Sequence, residues 1–176
     1  TLYPVMTIIM KKTLYLFSLA LIVTMWYGCE RDEICIEENT PRLIIKFYDK
    51  DDPSKTKAVP FLAVRVAGQE DFYYDAGNKQ SPDSIIVPLE VTKDKTIIEL
   101  VMNATDIDPD NNESNFIEIV SERQDVFVSE SCGFKTVYNN VVFTLDQTKS
   151  WISTIEAANI PQNIVDEKRR HLKVYH

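Results

Sequence analysis

Short apolar segments with a two-residue alternation recur along most of the chain after residue 41. Side chains two residues apart lie on the same face of a β-strand, so each segment predicts a strand. A polar turn is predicted between two of them, at residues 121–124, and one helical turn at residues 166–171. The predicted strands are 42–49, 61–67, 72–75, 84–90, 96–103, 116–120, 125–129, 140–145, 151–156 and 172–175.

Two segments also indicate their place in a sheet. Pro88 has no N–H to donate to a ladder, so segment 84–90 is expected at a sheet edge or to end there. Segment 96–103 is apolar on both faces, which indicates a central strand. Because short strands dominate and no long 3.6-residue period occurs, we expect an all-β fold, an immunoglobulin-like antiparallel β-sandwich, with a barrel as the alternative.

The segment that precedes the strands has another pattern. Lys11 and Lys12 come before an apolar run over residues 14–27, then Gly28 and Cys29 end the run and charged residues follow. This order is typical of an export signal. The run with its glycine would be about 22 Å long as a helix, less than the ~30 Å hydrocarbon core, which argues against an uncleaved membrane helix. Ordinary secretion is the other alternative, but no Ala-x-Ala precedes the charges.

The segment resembles a bacterial lipoprotein signal, which is cleaved before a cysteine that carries lipid on its sulfur. Gly28-Cys29 fits the usual lipobox, while Trp26 and Tyr27 depart from it. We therefore predict lipidation of Cys29 and a membrane tether in the cell envelope. The predicted divisions of the chain are upstream residues and a signal helix over 1–28, a tether over 29–41 and the sandwich over 42–176.

The charges after the signal bear on the partners. Residues 1–28 hold two lysines and no acids, so residues 29–176 have 17 Lys and Arg against 27 Asp and Glu, a net charge of −10. This balance argues against nucleic acid and against an anionic membrane surface as partners. Glu30, Asp32 and Glu33 resemble the acidic signal of some surface-exposed Bacteroidota lipoproteins, although Arg31 interrupts them. We expect an outer-membrane lipoprotein, on the cell surface or on the periplasmic face.

Three cysteines leave one unpaired unless Cys29 carries lipid. Cys35 and Cys132 then form a natural disulfide pair in an oxidising compartment. A Cys29–Cys35 bond without lipid is the alternative.

Three stretches together resemble an uncharacterised family of Bacteroidota lipoproteins. They are the segment from Cys29 to Cys35, Thr40-Pro-Arg-Leu-Ile-Ile-Lys-Phe-Tyr-Asp49 and Val128-Ser-Glu-Ser-Cys-Gly-Phe134. The resemblance implies an envelope lipoprotein with Cys35 and Cys132 paired. It implies no activity, because the family has none assigned.

Catalysis is not expected, and no cofactor is predicted. His171 and His176 are the only histidines, so few imidazoles are available as the general base that a Ser or Cys nucleophile needs. Asp106, Asp108 and Asp110 form a weak Ca²⁺ candidate because alternate acids can chelate a hard cation. They lack the glycine and glutamate of an EF-hand loop, and a solvated acidic loop is the alternative.

Aromatic side chains suggest one binding candidate. Tyr73, Tyr74 and Trp151 could stack against a sugar or a peptide, although strand aromatics are more often core.

Ser84, within Asp83-Ser84-Ile85, resembles a Bacteroidota O-glycosylation site. The leading hypothesis is a non-catalytic envelope module that binds or scaffolds another envelope protein. The alternative is a glycan- or peptide-binding surface lipoprotein.

Overall fold

A computed structural model describes residues 11–19, 35, 40–72, 81–104, 112–146 and 151–176. The chain divides into two units, residues 1–35 and residues 36–176. In the first unit, residues 11–19 form a helix. Across the described ranges, no helix combines the length and the apolar character that a membrane crossing requires.

The second unit is built from strands, as the alternating pattern predicts. The described strands form two four-stranded sheets, with the orders β3-β1-β8-β7 and β2-β4-β5-β6. Their bounds are β1 Leu43–Tyr48, β2 Ala63–Val66, β3 Ser84–Val87, β4 Lys95–Met102, β5 Glu113–Ser129, β6 Gly133–Leu145, β7 Thr154–Ala157 and β8 Leu172–Tyr175.

The first sheet is mixed, so the prediction of an antiparallel sandwich is wrong at one pair of strands. β1 runs parallel to β8, with Ile45 opposite Leu172 and Phe47 opposite Val174, while the other pairs of this sheet are antiparallel. Alternation reports which side chains share a face and carries no information about the direction of the neighbouring strand. The sequence could not indicate this parallel pair.

The apolar faces of both sheets pack into one core. Leu43, Ile45 and Phe47 of β1, which the alternation places on one face, are all fully buried. They share a cluster with residues of the second sheet, among them Leu100 and Ile117. An all-β fold of two layers, the coarser part of the prediction, is therefore confirmed.

Two predictions of strand position are also confirmed. β3 lies at an edge of its sheet and ends at Val87, directly before Pro88. β4 lies between β2 and β5, as its two apolar faces indicate. The predicted strand at 72–75 lies outside the described residues except for Phe72, which is not in a strand. Residues 166–171 contain bends at 167–169 and at 171 instead of the predicted helical turn.

The predicted turn at residues 121–124 is wrong, because β5 continues through it. A register shift between Val120 and Glu122 marks a bulge in β6, which has one residue more than β5 there and where Asn140 has a φ of +50°. The polar side chains that suggest a turn instead bond across the ladder: the Asn139 amide donates to Gln124 and the Asn140 amide to Glu122. The result is a hairpin of two long strands.

Both histidines are buried and hold backbone together. The Nδ1 atom of His171 accepts the Ile44 N–H at 3.0 Å, and the His171 N–H donates to the Ile44 carbonyl at 2.9 Å. The backbone of His176 bonds to Tyr48 and Lys50, and its ring packs edge-on against Trp151 at 5.3 Å between centroids. Burial lowers the pKa of both imidazoles.

We expect the free energy of unfolding to decrease as the pH falls from about 7 to about 5. An imidazole in the unfolded chain takes up a proton at about pH 6.5. The folded chain resists that proton, because burial lowers the pKa of His171 and a protonated Nδ1 cannot accept the Ile44 N–H. The stabilisation is therefore complete above pH ~6.5 and is lost as the pH falls through the folded pKa. Urea unfolding at several pH values measures it.

The variant His171→Asn is the matched control, since its amide oxygen can accept the Ile44 N–H without titrating. Its stability should depend less on pH over the same range. An identical pH dependence in the wild type and the variant would contradict the role of His171.

Candidate functional site

The distal end of the β5–β6 hairpin is the most distinctive feature of the described surface. A three-residue turn joins Ser129 to Gly133, and Gly133 has a φ of +69°, which favours glycine. The Ser129 hydroxyl oxygen accepts the Cys132 N–H at 3.1 Å. The turn is thus organised by a glycine and by a local side-chain bond.

Cys132 is part of this turn, and it forms a disulfide with Cys35. The predicted pairing is therefore confirmed. Cys29 lies outside the described residues. Because Cys35 precedes the domain in the chain, the bond attaches the predicted tether covalently to the hairpin turn.

Two exposed phenylalanines form a pair beside this turn. Phe127 is 56% exposed and Phe134 is 70% exposed, and their rings pack edge to face with centroids 5.4 Å apart. They are cross-strand partners in the ladder. Their side of the hairpin is also the side of Tyr138, which is in the core. The polar pair Thr136–Asp125 lies on this face between Tyr138 and the phenylalanines, so the phenylalanine pair is a separate apolar patch at the exposed end of the hairpin.

Sequence reasoning did not select this pair. Phe127 alternates like a core residue, and Phe134 is part of the Cys-Gly-Phe motif. The available signal was the apolar segment Val126-Phe127-Val128 directly before the turn, but the predicted break at residues 121–124 separated it from the rest of β5. Only the register between β5 and β6 brings Phe127 and Phe134 together.

The chain enters the domain beside the same hairpin. The Thr136 N–H donates to the Thr40 hydroxyl at 3.1 Å, two residues from Phe134. Arg42 then forms a bidentate ion pair with Glu167, with contacts of 2.8 and 2.7 Å from Nε and Nη2. This guanidinium holds the pKa of Glu167 below its ordinary value. The path of the chain from Thr40 onward is therefore held by specific bonds.

Trp151 does not contribute to a stacking platform, so that part of the aromatic prediction is wrong. It is only 9% exposed, and its indole N–H donates to the Leu100 carbonyl at 3.4 Å. Its ring packs against Phe47 and His176. β7 begins at Thr154, after Trp151, so the tryptophan is a core residue before the strand.

The other predicted sites remain predictions. Ser84 is exposed at the start of β3, and its hydroxyl donates to the Ile45 carbonyl at 3.2 Å. Tyr73 and Tyr74 lie outside the described residues, as do the three calcium candidates Asp106, Asp108 and Asp110. Among the residues that are described, no group of three or more metal-binding side chains comes together.

A shallow depression lies over strands β4 to β6. Its volume is about 660 Å³, and it is open to solvent. Ile97 and Phe116 contribute apolar surface, and Glu118 pairs with Lys95 at 2.5 Å. The lining residues are Ala67, Ile97, Phe116, Glu118, Thr144, Leu145 and Asp146.

The sequence profile of the family of unknown function DUF6452 matches residues 62–176. This chain belongs to that family. The DUF6452 match includes Phe127, Cys132 and Phe134, and it begins after β1, although β1 is an interior strand of the first sheet. Comparison with curated proteins and with solved structures found no significant match.

We expect Cys132→Ser to lower the free energy of unfolding of this DUF6452 member by about 2–5 kcal/mol. The bond closes a loop of 98 residues from Cys35 through Cys132, and its loss gives conformational entropy back to the unfolded chain. Urea unfolding of the mature protein measures the change. Cys35→Ser should have the same effect, and the double variant should be no less stable than either single variant. Additive effects would contradict a shared bond.

We expect Trp151→Ala to cost about 3–5 kcal/mol, because it empties a large volume in the core. Phe134→Ala is the matched control, since it removes an exposed aromatic ring whose pairing is worth less than about 1.5 kcal/mol. Thermal and urea unfolding compare the two variants. Equal losses would contradict the contrast between a core tryptophan and an exposed phenylalanine.

Proposed function

We propose that the mature chain is a lipid-anchored protein of the bacterial cell envelope, whose two-sheet domain binds or scaffolds another envelope component without catalysis. The anchor is the lipid on Cys29, and the preceding residues are its signal peptide. The resemblance to Bacteroidota lipoproteins supports this reading, and membership of a family of unknown function is consistent with it.

The disulfide is the observation that carries the proposal. Disulfides such as Cys35–Cys132 persist in oxidising compartments and are rare in the cytosol. Together with an export signal that ends at Gly28-Cys29, the bond supports a protein that leaves the cytoplasm. Its position also suits an anchored domain, because it ties the segment after Cys29 to the hairpin turn.

The roles of the histidines support a non-catalytic domain. His171 is 1% exposed and bonds through Nδ1 to a backbone N–H, and the His176 ring lies among Phe47 and Trp151. Both imidazoles are therefore committed to the fold. A general base needs to reach its substrate, and these two rings are placed for packing.

We propose that the domain is an immunoglobulin-like binding module; its two packed sheets support this, and the parallel β1–β8 pair departs from that class. We assign it to the outer membrane. The acids after Cys29 favour the outer face of that membrane, and the periplasmic face is the alternative.

Glycan or peptide binding is the alternative function. It depends on Tyr73 and Tyr74, because Trp151 is buried.

We expect Cys29→Ser to abolish lipidation and to shift the protein out of the mature membrane-bound form. Without the thiol, the lipid has no attachment atom, so the chain should collect as uncleaved precursor or in soluble fractions. Mass spectrometry of the N-terminus, with fractionation of membranes, measures both outcomes. Cys35→Ser is the matched control, because it removes a thiol without removing the lipid site.

An unmodified, membrane-bound Cys29→Ser protein with the apolar run still attached would contradict the lipid anchor and indicate a helical one. The scaffolding role is tested separately, by purifying the wild-type protein from membranes solubilised in mild detergent. A second envelope protein should be recovered with it in a stoichiometric amount. Recovery of none across several growth conditions would contradict that role and leave the anchor unaffected.

A further inference from the structure

We propose that the exposed pair Phe127–Phe134 is a membrane-contact site, which inserts into the interfacial region of the bilayer that holds the lipid of Cys29. The inference rests on the proposed lipid anchor and adds an orientation to it. The domain would stand with the β5–β6 turn towards the membrane and the rest of the sandwich away from it.

The geometry of the phenylalanine pair suits such a contact. The two rings pack on each other at 5.4 Å, and the ladder holds Phe127 directly opposite Phe134. The backbone beside them is constrained by the β5–β6 ladder and by the disulfide of Cys132. Two large apolar side chains are therefore presented at the end of a stiff hairpin. These side chains therefore lose little conformational entropy when they insert into the bilayer interface.

The path of the chain brings the anchor to the same end of the domain. Thr40 bonds to Thr136, two residues from Phe134, and Cys35 is bonded to Cys132, again two residues away. Six residue steps separate Cys29 from Cys35, and six extended residues span at most about 22 Å. The lipid, and with it the bilayer surface, therefore lies within a short reach of the exposed pair.

Charge favours apolar insertion over electrostatic adsorption. Residues 29–176 have a net charge of −10, so anionic headgroups repel the domain as a whole. The turn itself has exposed Glu130, and half-buried Lys135 follows Phe134. With opposite charges on its two sides, the tip has no net basic patch to bind phosphates. Its apolar rings are the groups that a membrane interface would accept.

The size of the patch favours lipid over a protein partner. Two phenylalanines with these exposures present on the order of 250 Å² of surface. A stable protein interface buries about 1,000 Å² or more in total, which is about 500 Å² on each partner. A small patch is sufficient at a membrane, because the lipid already holds the domain there and makes the second contact intramolecular. The anchor supplies affinity, and the rings supply orientation.

The test uses the purified lipidated protein, with its acyl mass confirmed, in phosphatidylethanolamine–phosphatidylglycerol vesicles with and without brominated acyl chains. Phe134→Trp reports on the tip. Val142→Trp is the matched control, because Val142 is 59% exposed on the same strand. Native Trp151 is buried and contributes the same background to both variants. Thermal unfolding verifies that both variants are folded.

We expect brominated lipid to quench the indole introduced by Phe134→Trp at least twofold more than the one introduced by Val142→Trp, with blue-shifted emission in the Phe134→Trp variant only. Equal quenching in both variants, or none in either, would overturn the membrane contact while the acyl mass upholds the anchor. A blue shift at position 134 that depends on protein concentration and is insensitive to bromine would assign the tip to a second copy and overturn the lipid assignment. A missing acyl mass would overturn the anchor and this orientation together.

Discussion

The parallel pairing of β8 with β1 is the interaction on which the first sheet depends. Among the described strands, β7 pairs only with β8, and β3 pairs only with β1. The β1–β8 pair therefore joins the two halves of the sheet, β3-β1 and β8-β7. Leu172 and Val174 enter the core opposite Ile45 and Phe47. The pairing closes a loop of more than a hundred residues, whose entropy cost must be offset by burial of these side chains. The bonds of His171 to Ile44 secure the start of the pair.

The second sheet depends on local contacts, and its β5–β6 hairpin connects the core to the exposed end of the domain. The inner ends of the two strands bury residues such as Ile117 of β5 and Val141 of β6. The bulge at Asn140 lets the ladder continue, so the distal half keeps its register as far as Phe127 and Phe134. The disulfide at the turn of this hairpin connects the residue that precedes the domain covalently to the ladder of β5 and β6.

Alternation was sufficient to predict a strand and its buried face wherever one face of the strand is buried, as in β1. Pro88 indicated a sheet edge because a residue without an N–H cannot donate to a ladder in any sheet. The disulfide could be predicted because the number of cysteines left few choices. Prediction failed at Ser121–Gln124, where polar side chains bond across a ladder instead of forming a turn. It failed at Trp151 for a related reason, since an aromatic ring near a strand has the same pattern whether it is buried or exposed.

The sequence by itself determined the local properties of this protein: which segments extend, which faces are apolar, and how few cysteines are available to form a disulfide. These follow from side-chain period, backbone donors and thiol chemistry, and each depends on neighbours a few residues apart. Only the tertiary structure decided the direction of β8 beside β1, the burial of Trp151 and the pairing of Phe127 with Phe134. Those features join distant residues or depend on strand register, and the free energy that selects them comes from packing in three dimensions, which no local pattern records.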